Sequence, residues 1–492
     1  MAAGDVARLY HRLSAYAYDP DHPYDTPPID DPWVIQEFVP YDADRLPPTC
    51  KVYPDGTPAI ALPRTWPMIP TSATAVLAGR FEAPAAPLDL AALARLLHLS
   101  GGVTRIRASK PPFTDPWLFR AAGSAGGRSP FELYVSARDV AGLDDGVYWY
   151  DPIGHALLAV APPADGEATT IIVTAVPWRT TWRYTERGFR HVYWDAGSVL
   201  AQTMVLGDSA GFGPRFWTRF PDADVAALVG ADGVDEFPVA LVGLGHGAPA
   251  IRPSGVALHG SIGEAPTEFP LVTHAQHAGD QTELGDPWPA APALAGDVPD
   301  ADDLDAVILR RGSARRMDAT ATVPRDVFEF SLASGLRGTT TPQFVAVHAV
   351  DGVEPGLYRW PDMSEPVRSG DLRKELLRAC WDANLGRDAA FVVMSVVDLA
   401  TIDDRGYREA QLDAGIVEGR LHLAAYALGI GASGMTFLDD EIEPLLGAPW
   451  AGLLFTCVGV PDYPGKAGGM PGEPVWIVTP PSGDTPRDAP SG

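Results

Sequence analysis

The segment from Arg310 to Arg316 reads RRGSARR, and its residue types could bind a phosphate group. Arg311, Ser313 and Arg315 alternate along it, so their side chains could converge on one anion. A guanidinium donates paired hydrogen bonds to phosphate, and a serine hydroxyl adds a further donor. We place the segment at a helix start that follows the stretch ADDLDAVIL. The alternative is a solvated basic face, which is the commoner explanation of such a motif in isolation.

A second segment, AAGSAGGRSPFELY (121–134), could cradle a flat ligand. Ser124, Gly126 and Gly127 precede a predicted strand, and glycines let a backbone approach a ligand closely. A plain tight turn is the alternative for these three residues.

A third segment, WRYTERGFR, contains Arg183 and Tyr184, which could handle a proton. Arginine effectively cannot lose its proton, whereas a tyrosine phenol can transfer one. We expect the Arg183 cation to favour the phenolate and to lower the pKa of Tyr184. His191 is the next candidate for the base. The alternative is that Tyr184 only packs and that Arg183 pairs with Glu186.

Composition excludes several classes of protein. The 492 residues suit two domains of ordinary size, and a formal charge of −26 argues against nucleic acid, which needs a basic surface. Cys50, Cys380 and Cys457 form no CxxC pair, which indicates reduced thiols in a cytoplasmic protein. The first residues lack the apolar stretch of a signal peptide. No run of about eighteen apolar residues predicts a membrane span.

The chain contains an internal repeat. RGFRHVYWDAGSV (187–199) resembles RGYREAQLDAGIV (405–417), and one offset of 218 positions (413 − 195) relates Asp195 to Asp413 and Gly211 to Gly429. Two homologous units follow from this offset. The domains that we expect are an irregular N-terminal extension packed on the first unit (1–70), a first repeat unit (71–250), a linker or wrap (251–303), a second repeat unit (304–466) and a tail (467–492) whose end, from Thr479, is disordered.

Local patterns predict helices and strands in both units. Asp89 could cap a helix that ends near Gly101. Aromatic and β-branched residues predict a strand pair at 131–137 and 146–151. Residues 195–206 and 413–428 read as long helices, and their early small residues place both at the interface between the units.

The linker offers weaker signals. PTEFPLV (266–272) could add a strand. His274 and His277 lie three apart without a set of Cys or acidic ligands, so we interpret them as loop residues and predict no metal. No GxGxxG motif follows a strand, which argues against a Rossmann domain.

Five motifs in this order, AAGSAGGRSPFELYV, GVYWYDP, WRYTERGFRHVYWDAG, RRGSARRM and ALGIGASGM, resemble the SagB/ThcOx-type dehydrogenases of the nitroreductase superfamily. The resemblance covers roughly residues 70–465. It implies an α+β fold of two nitroreductase-like domains, each an antiparallel-rich sheet flanked by helices, fused in tandem as a pseudo-dimer. It also implies FMN bound between the two domains.

By this resemblance one composite flavin site is retained. The place that matches RRGSARR reads TAVLAGRF in the first unit (74–81), and the place that matches GSAGGRSP reads RGTTTPQF in the second (337–344). The cofactor-binding residues that we expect are Arg311, Ser313, Arg315, Ser124, Gly126, Gly127, Gly429, Gly431, Gly434 and, by analogy with the superfamily, Lys466. Tyr184 and Arg183 are the expected catalytic pair, with arginine standing where the family has lysine.

The resemblance implies an FMN-dependent dehydrogenase or oxidase that converts a thiazoline or oxazoline ring to an azole, with O2 as electron acceptor. Its substrate would be a small-molecule or peptide-bound heterocycle, and a biosynthetic partner enzyme and a monomeric or homodimeric state stay open. One alternative is an NAD(P)H-dependent reductase of nitro, quinone or enone compounds. Another is a non-catalytic pseudo-dimer that binds a peptide or a partner enzyme.

Overall fold

The computed structural model describes residues 3–18, 29–36, 38–83 and 86–478. The predicted disorder from Thr479 lies outside the described residues. The helices are α1 (Asp5–Leu13), α2 (Ala73–Leu77), α3 (Leu90–Gly101), α4 (Trp178–Tyr184), α5 (Gly188–Ser209), α6 (Asp222–Val229), α7 (Pro270–Ala278), α8 (Leu304–Arg310), α9 (Arg325–Gly335), α10 (Arg373–Ala379), α11 (Asn384–Asp388), α12 (Asp404–Ala427) and α13 (Ile442–Leu446).

The strands form three sheets. They are β1 (Ala59–Ala61), β2 (Val103–Arg107), β3 (Trp117–Arg120), β4 (Phe131–Ala137), β5 (Gly146–Asp151), β6 (Ala156–Ala161), β7 (Thr169–Ala175), β8 (Arg215–Trp217), β9 (Phe237–Leu244), β10 (Gln343–Val347), β11 (Gly356–Arg359), β12 (Arg368–Ser369), β13 (Phe391–Val397), β14 (Gly431–Met435), β15 (Ala451–Gly459) and β16 (Val475–Trp476).

The two larger sheets repeat one strand order. The first runs β1-β6-β5-β4-β7-β9-β8 and the second β12-β11-β10-β13-β15-β14. All their pairings are antiparallel. The run β5-β4-β7-β9-β8 therefore has its counterpart in β11-β10-β13-β15-β14, as the sequence repeat predicts. The central strands β4, β7 and β13 are buried at every position, which explains their apolar and β-branched residues.

Several local predictions are confirmed. The Asp89 carboxylate accepts a hydrogen bond from the Ala92 N–H at 2.8 Å and caps α3, which ends at Gly101. The strand pair at 131–137 and 146–151 is β4 and β5. The two long helices begin earlier than predicted, at Gly188 and Asp404, and the second of them is capped by Asp403, whose carboxylate accepts a hydrogen bond from the Gly406 N–H at 2.5 Å.

The long helices α5 and α12 pack against each other at their glycines, as the small residues predict. A Cβ built on Gly197 would lie 2.5 Å from the carbonyl carbon of Gly415, and one built on Gly415 would collide with the backbone of Trp194. The two backbones approach more closely than any side chain would permit. This contact joins the first repeat unit to the second.

We expect Gly415→Val to lower the free energy of unfolding by about 1–3 kcal/mol or more, because the side chain would force the helices apart. Thermal or denaturant unfolding measures the loss, with Gly465→Ala as the control, since the Cβ position of Gly465 is open. Equal stability of the two variants would contradict this helix contact.

Two predictions about the linker are wrong. Residues 266–272 lead into the helix α7 rather than a strand, and this helix carries both linker histidines that were expected in a loop. Proline at the first helical position, followed by Leu271 and Val272, starts a helix whose apolar side is buried.

The N-terminal extension does not pack only on the first repeat unit. It forms α1, and the Asp404 carboxylate at the start of α12 accepts hydrogen bonds from the N–H groups of Gly4 (3.2 Å) and Ala7 (2.7 Å). The backbone N–H of Tyr16 likewise donates to Asp439 in the second unit at 2.8 Å. The extension therefore ties both units together. Within the described ranges, no helix combines the length and the apolarity needed to cross a membrane.

Candidate functional site

The RRGSARR segment is a loop, not the start of a helix. Helix α8 ends at Arg310, and Arg311 leaves it with an extended backbone. The Ala314 N–H then donates to the Ala432 carbonyl of β14 at 2.9 Å, so the loop runs beside the edge of the second sheet. Arg311 is buried, with 4% of its surface exposed, whereas Ser313 and Arg315 are exposed. The side chain of Arg311 therefore lies in the interior, whereas those of Ser313 and Arg315 lie at the surface, so the three do not share one environment.

Arg311 connects the loop with the first repeat unit. Its guanidinium donates to the Ala121 carbonyl at 2.6 Å (Nη2) and 3.2 Å (Nε), and its Nη1 lies 3.3 Å from Nδ1 of His422. A Cβ on Gly123 would lie 3.5 Å from the same guanidinium. The two segments that the sequence singled out thus meet, although they are nearly two hundred residues apart.

Arg105, on β2 of the first unit, holds the other side of this loop. Its guanidinium donates to the carbonyls of Leu309 (2.6 Å), Arg311 (2.8 Å) and Lys466 (3.0 Å). The backbone of Lys466 is therefore fixed near the loop. Its ammonium lies at the surface, 3.4 Å from the Trp476 carbonyl.

The Ser124–Gly127 turn is held by a buried carboxylate. Asp195 accepts hydrogen bonds from the Ser124 hydroxyl at 2.6 Å and the Ala125 N–H at 2.9 Å. Gly126 (φ 59°) and Gly127 (φ 66°) adopt the left-handed conformation that glycine favours. Burial raises the pKa of Asp195 to about 8, although these two hydrogen bonds oppose the rise.

In the second repeat unit an aspartate likewise holds a turn by accepting hydrogen bonds, although the turn residues differ. Asp413, the counterpart of Asp195, accepts hydrogen bonds from the N–H groups of Thr340 (2.8 Å) and Thr341 (2.9 Å). No sequence motif indicated this role for either aspartate. Their identity at matching positions of the repeat was the signal that could have revealed it.

Arg183 and Tyr184 lie against the glycine turn. A Cβ on Gly126 would be 2.8 Å from Cδ of Arg183 and 2.9 Å from the Tyr184 hydroxyl. The Arg183 guanidinium lies 5.3 Å from the Tyr184 ring and 4.8 Å from the ring of Tyr41. Glu186, the alternative partner of Arg183, instead accepts a hydrogen bond from the Ile35 N–H at 2.9 Å. Tyr41 and Ile35 of the N-terminal extension thus contact this segment, which the motifs did not predict.

The prediction that Arg183 lowers the pKa of Tyr184 below its ordinary value is wrong. Burial raises it above the ordinary value and outweighs the lowering by Arg183, so the phenol is protonated at neutral pH. The ring of His191 lies 4.0 Å from that of Tyr184. Burial, with the charges of Arg187 and Arg190, holds the pKa of His191 well below its usual range. The histidine is neutral and a weak base.

The glycines of ALGIGASGM have different surroundings. Gly434, on β14, faces Glu418: a Cβ there would collide with the carboxylate, which also accepts a hydrogen bond from Ser198 at 2.9 Å. Gly431 packs against Pro461. Gly429 has φ 79° just beyond the end of α12, and its Cβ position is open, so its conformation serves the helix end.

The repeat relates the basic loop and the glycine turn to a second, pseudo-equivalent place, between residues 74–81 of the first unit and 337–344 of the second. The linker covers this place. Arg80 donates to the Gly296 carbonyl, and the Leu294 N–H donates to Ala78 at 2.9 Å. Arg337 donates to the Ala291 carbonyl at 3.3 Å. Backbone from residues 291–296 thus covers this place.

Within the described part of the chain, no group of three or more His, Cys, Asp or Glu side chains could hold a metal ion. Cys50, Cys380 and Cys457 are buried and free. The candidate site therefore consists of arginines, hydroxyl groups and closely packed glycine backbone.

The chain resembles proteins of one fold. No family model matches the sequence. A protein of Methanocaldococcus jannaschii, provisionally designated a nitroreductase, is 29% identical over 175 residues, which are 32% of this chain and 82% of that protein. A crystal structure from Anabaena variabilis with the same provisional designation superposes with a TM-score of 0.67 and 24% identity, over 93% of this chain and 99% of that one. The fold is nitroreductase-like.

A further nitroreductase-like structure, from Ralstonia eutropha, matches 40% of this chain with 20% identity and a TM-score of 0.29. The Anabaena structure, in contrast, covers both larger sheets of the present chain. The predicted α+β class with antiparallel sheets is therefore confirmed, and the nitroreductase-like superfamily is the group that the curated and structural relatives support.

Proposed function

We propose that the chain is an FMN-dependent oxidoreductase with one flavin site between the two repeat units. The observation that carries the proposal is the hydrogen bond from Arg311 to the Ala121 carbonyl, since it brings the basic loop and the glycine turn together. Tyr184 lies against the same turn.

The residues present suit FMN. Ser313 and Arg315 are exposed donors on the basic loop, and Arg105 holds the backbone of the exposed Lys466 to the same loop, so all three are candidates for binding the phosphate. A Cβ built on Gly126 would lie 2.8–2.9 Å from Arg183 and Tyr184, so the glycine lets these two side chains pack directly on the turn, where the flavin ring would lie beside them. Bound FMN would supply hydride transfer, and the chain would supply position and electrostatics.

Within this class we propose a SagB-type dehydrogenase that oxidises an azoline ring to an azole, with O2 as the final acceptor. The motifs and their order support this reaction. It removes a hydride and a proton from the ring, and the proton needs an acceptor. Tyr184 is protonated at neutral pH, so it would not begin as the base: it would release its own proton to solvent water as it accepts the proton from the ring.

The protonated phenol also favours a second candidate, a reductase that uses NAD(P)H. Reduction of a nitro, quinone or enone group consumes protons, and a tyrosine that is protonated at neutral pH can donate one. Rapid bleaching of the flavin absorbance by NADPH without oxygen would support the reductase. Bleaching only by an azoline would support the dehydrogenase.

We expect about one FMN per chain, because the linker covers the pseudo-equivalent place. Flavin released by denaturation is quantified by absorbance against protein concentration. Two FMN per chain would contradict the single site, and a colourless protein would contradict the flavin proposal and favour the non-catalytic alternative.

A further inference from the structure

The backbone takes an unusual conformation immediately after Tyr184. Thr185 has φ 49° and ψ −139°, a combination that glycine adopts freely and that other residues rarely adopt. A β-branched side chain makes this conformation costly, so contacts from the surrounding structure must impose it. The turn at Thr185 ends α4 and redirects the chain toward α5, and it therefore sets the place of the residue before it.

The repeat shows that the fold itself does not require this conformation. The offset of 218 positions relates Thr185 to Asp403 (403 − 185), and Asp403 has φ −86° and ψ 178°, an ordinary extended backbone. The same offset relates Tyr184 to Ile402 (402 − 184). The unit that carries the tyrosine thus has the strained turn, and the matching place of the other unit is relaxed. Strain that the fold does not need is typical of functional sites.

The N-terminal extension holds the residue that follows the strained turn. The hydroxyl of Tyr10, on α1, donates a hydrogen bond to the Glu186 carbonyl at 2.8 Å. The Ile35 N–H donates to the Glu186 carboxylate at 2.9 Å. Tyr10 and Glu186 are both buried, so the loss of either bond would leave a polar group without its partner in the interior.

The same extension holds the chain before Tyr184. The Tyr41 N–H donates to the Trp182 carbonyl at 3.2 Å, and the Trp182 indole donates to the Asp42 carbonyl at 2.7 Å. Tyr184 therefore lies between two residues that the extension fixes. Its hydroxyl would be 2.9 Å from a Cβ built on Gly126, so the fixed backbone places the phenol against the glycine turn.

We propose that Tyr10 and Glu186 are positioning residues for Tyr184. Through the bonds between the extension and Glu186 they keep the strained turn at Thr185, and the turn keeps the phenol against the glycine turn. The extension is thereby required for the reaction and not only for the stability of the fold. The inference rests on the proposed function for the role of Tyr184.

The first part of the test measures the strain without any substrate. At an ordinary position glycine destabilises a protein relative to alanine, because its unfolded chain has more freedom to lose. At Thr185 we expect the reverse order: Thr185→Gly should unfold at least about 1 °C above Thr185→Ala in a thermal melt. A glycine variant that melts at or below the alanine variant would contradict the strained turn.

The second part asks whether Tyr10 acts through Tyr184. Tyr10→Phe should lower kcat at least about fivefold and leave KM and the flavin content unchanged, because a small misplacement of a reacting group is costly. In the Tyr184→Phe background the same substitution should lower kcat by less than about twofold, since the phenol that it positions is absent. The probe is methyl phenylthiazoline carboxylate in air or, if that is not oxidised, NADPH with menadione.

Tyr148→Phe is the matched control for Tyr10→Phe. Its hydroxyl also donates to a backbone carbonyl, that of Asp144 at 2.9 Å, and it lies on β5 opposite Val135, toward the end of β4 that is away from the glycine turn. It should leave kcat unchanged. Equal losses from the two substitutions, or the same loss from Tyr10→Phe in both backgrounds, would overturn the inference, because Tyr10 would then support the fold alone.

Glu186 provides a second pair of variants that does not depend on the folding of Tyr10→Phe. Glu186→Gln keeps a side-chain oxygen for the Ile35 N–H and should retain most of kcat, whereas Glu186→Ala should lose about as much as Tyr10→Phe. Equal rates in the glutamine and alanine variants would overturn the role of this hydrogen bond.

Amide hydrogen exchange of residues 182–188 separates this inference from the proposed function. Exchange there should be at least about threefold faster in Tyr10→Phe and Glu186→Ala than in the unaltered protein, and unchanged in Tyr148→Phe. If the unaltered protein turns over neither probe, the proposed function fails. The exchange rates then still decide whether the extension holds the turn, and equal rates in all four proteins would overturn it.

Discussion

Tyr184→Phe is expected to keep the bound flavin and to lower turnover by about 10²–10⁴-fold, the usual contribution of a general acid–base group. The glycine turn is held by Asp195 through Ser124 and Ala125, so removal of the Tyr184 hydroxyl leaves the turn intact. The measurement is flavin content together with the single-turnover rate of flavin reduction or reoxidation. Tyr358→Phe is the control, because that hydroxyl bonds the Glu354 carbonyl in the second unit.

The raised pKa of Tyr184 gives this prediction a pH dependence. A step that needs the protonated phenol should proceed at a constant rate through neutral pH and slow only as the pH rises toward the folded-state pKa. Arg183→Lys should retain more activity than Arg183→Ala, because it keeps the positive charge beside the phenol. Near-normal rates in Tyr184→Phe would leave Tyr184 with a packing role alone.

Arg315→Ala is expected to weaken FMN binding by about 1.5–3 kcal/mol, or roughly 10- to 150-fold, the range for a hydrogen bond to a charged group. Arg315 is the informative position because its side chain is exposed and its backbone, not its guanidinium, bonds the Tyr463 hydroxyl at 2.9 Å. Replacement of the buried Arg311 would instead remove the contact with Ala121 and disturb the fold.

Arg80→Ala is the matched control for Arg315→Ala. Arg80 lies at the pseudo-equivalent place of the first unit, where it donates to the linker at Gly296. Titration of FMN into the two apo variants should show a loss only for Arg315→Ala. Equal losses would mean that the phosphate is held by the first unit rather than the second.

The sequence by itself determined the repeat and the order of the main elements. The offset that relates Asp195 to Asp413 recurs in two sheets of one strand order. The Asp89 cap and the β4–β5 pair also followed from local patterns. These features depend on residues close together in the chain or on a pattern that occurs twice, so they can be predicted from the sequence without the tertiary structure.

Only the tertiary structure decided how the site is built. The contact of Arg311 with Ala121 spans 190 positions, and no local pattern encodes so distant a pair. The pKa of Tyr184 depends on burial, which outweighs the neighbouring cation that the sequence showed. Tyr41 reaches the site from an extension whose composition predicted only irregular packing. Long-range contacts and desolvation are properties of the packed chain, and they appear only when both repeat units and the N-terminal extension are assembled.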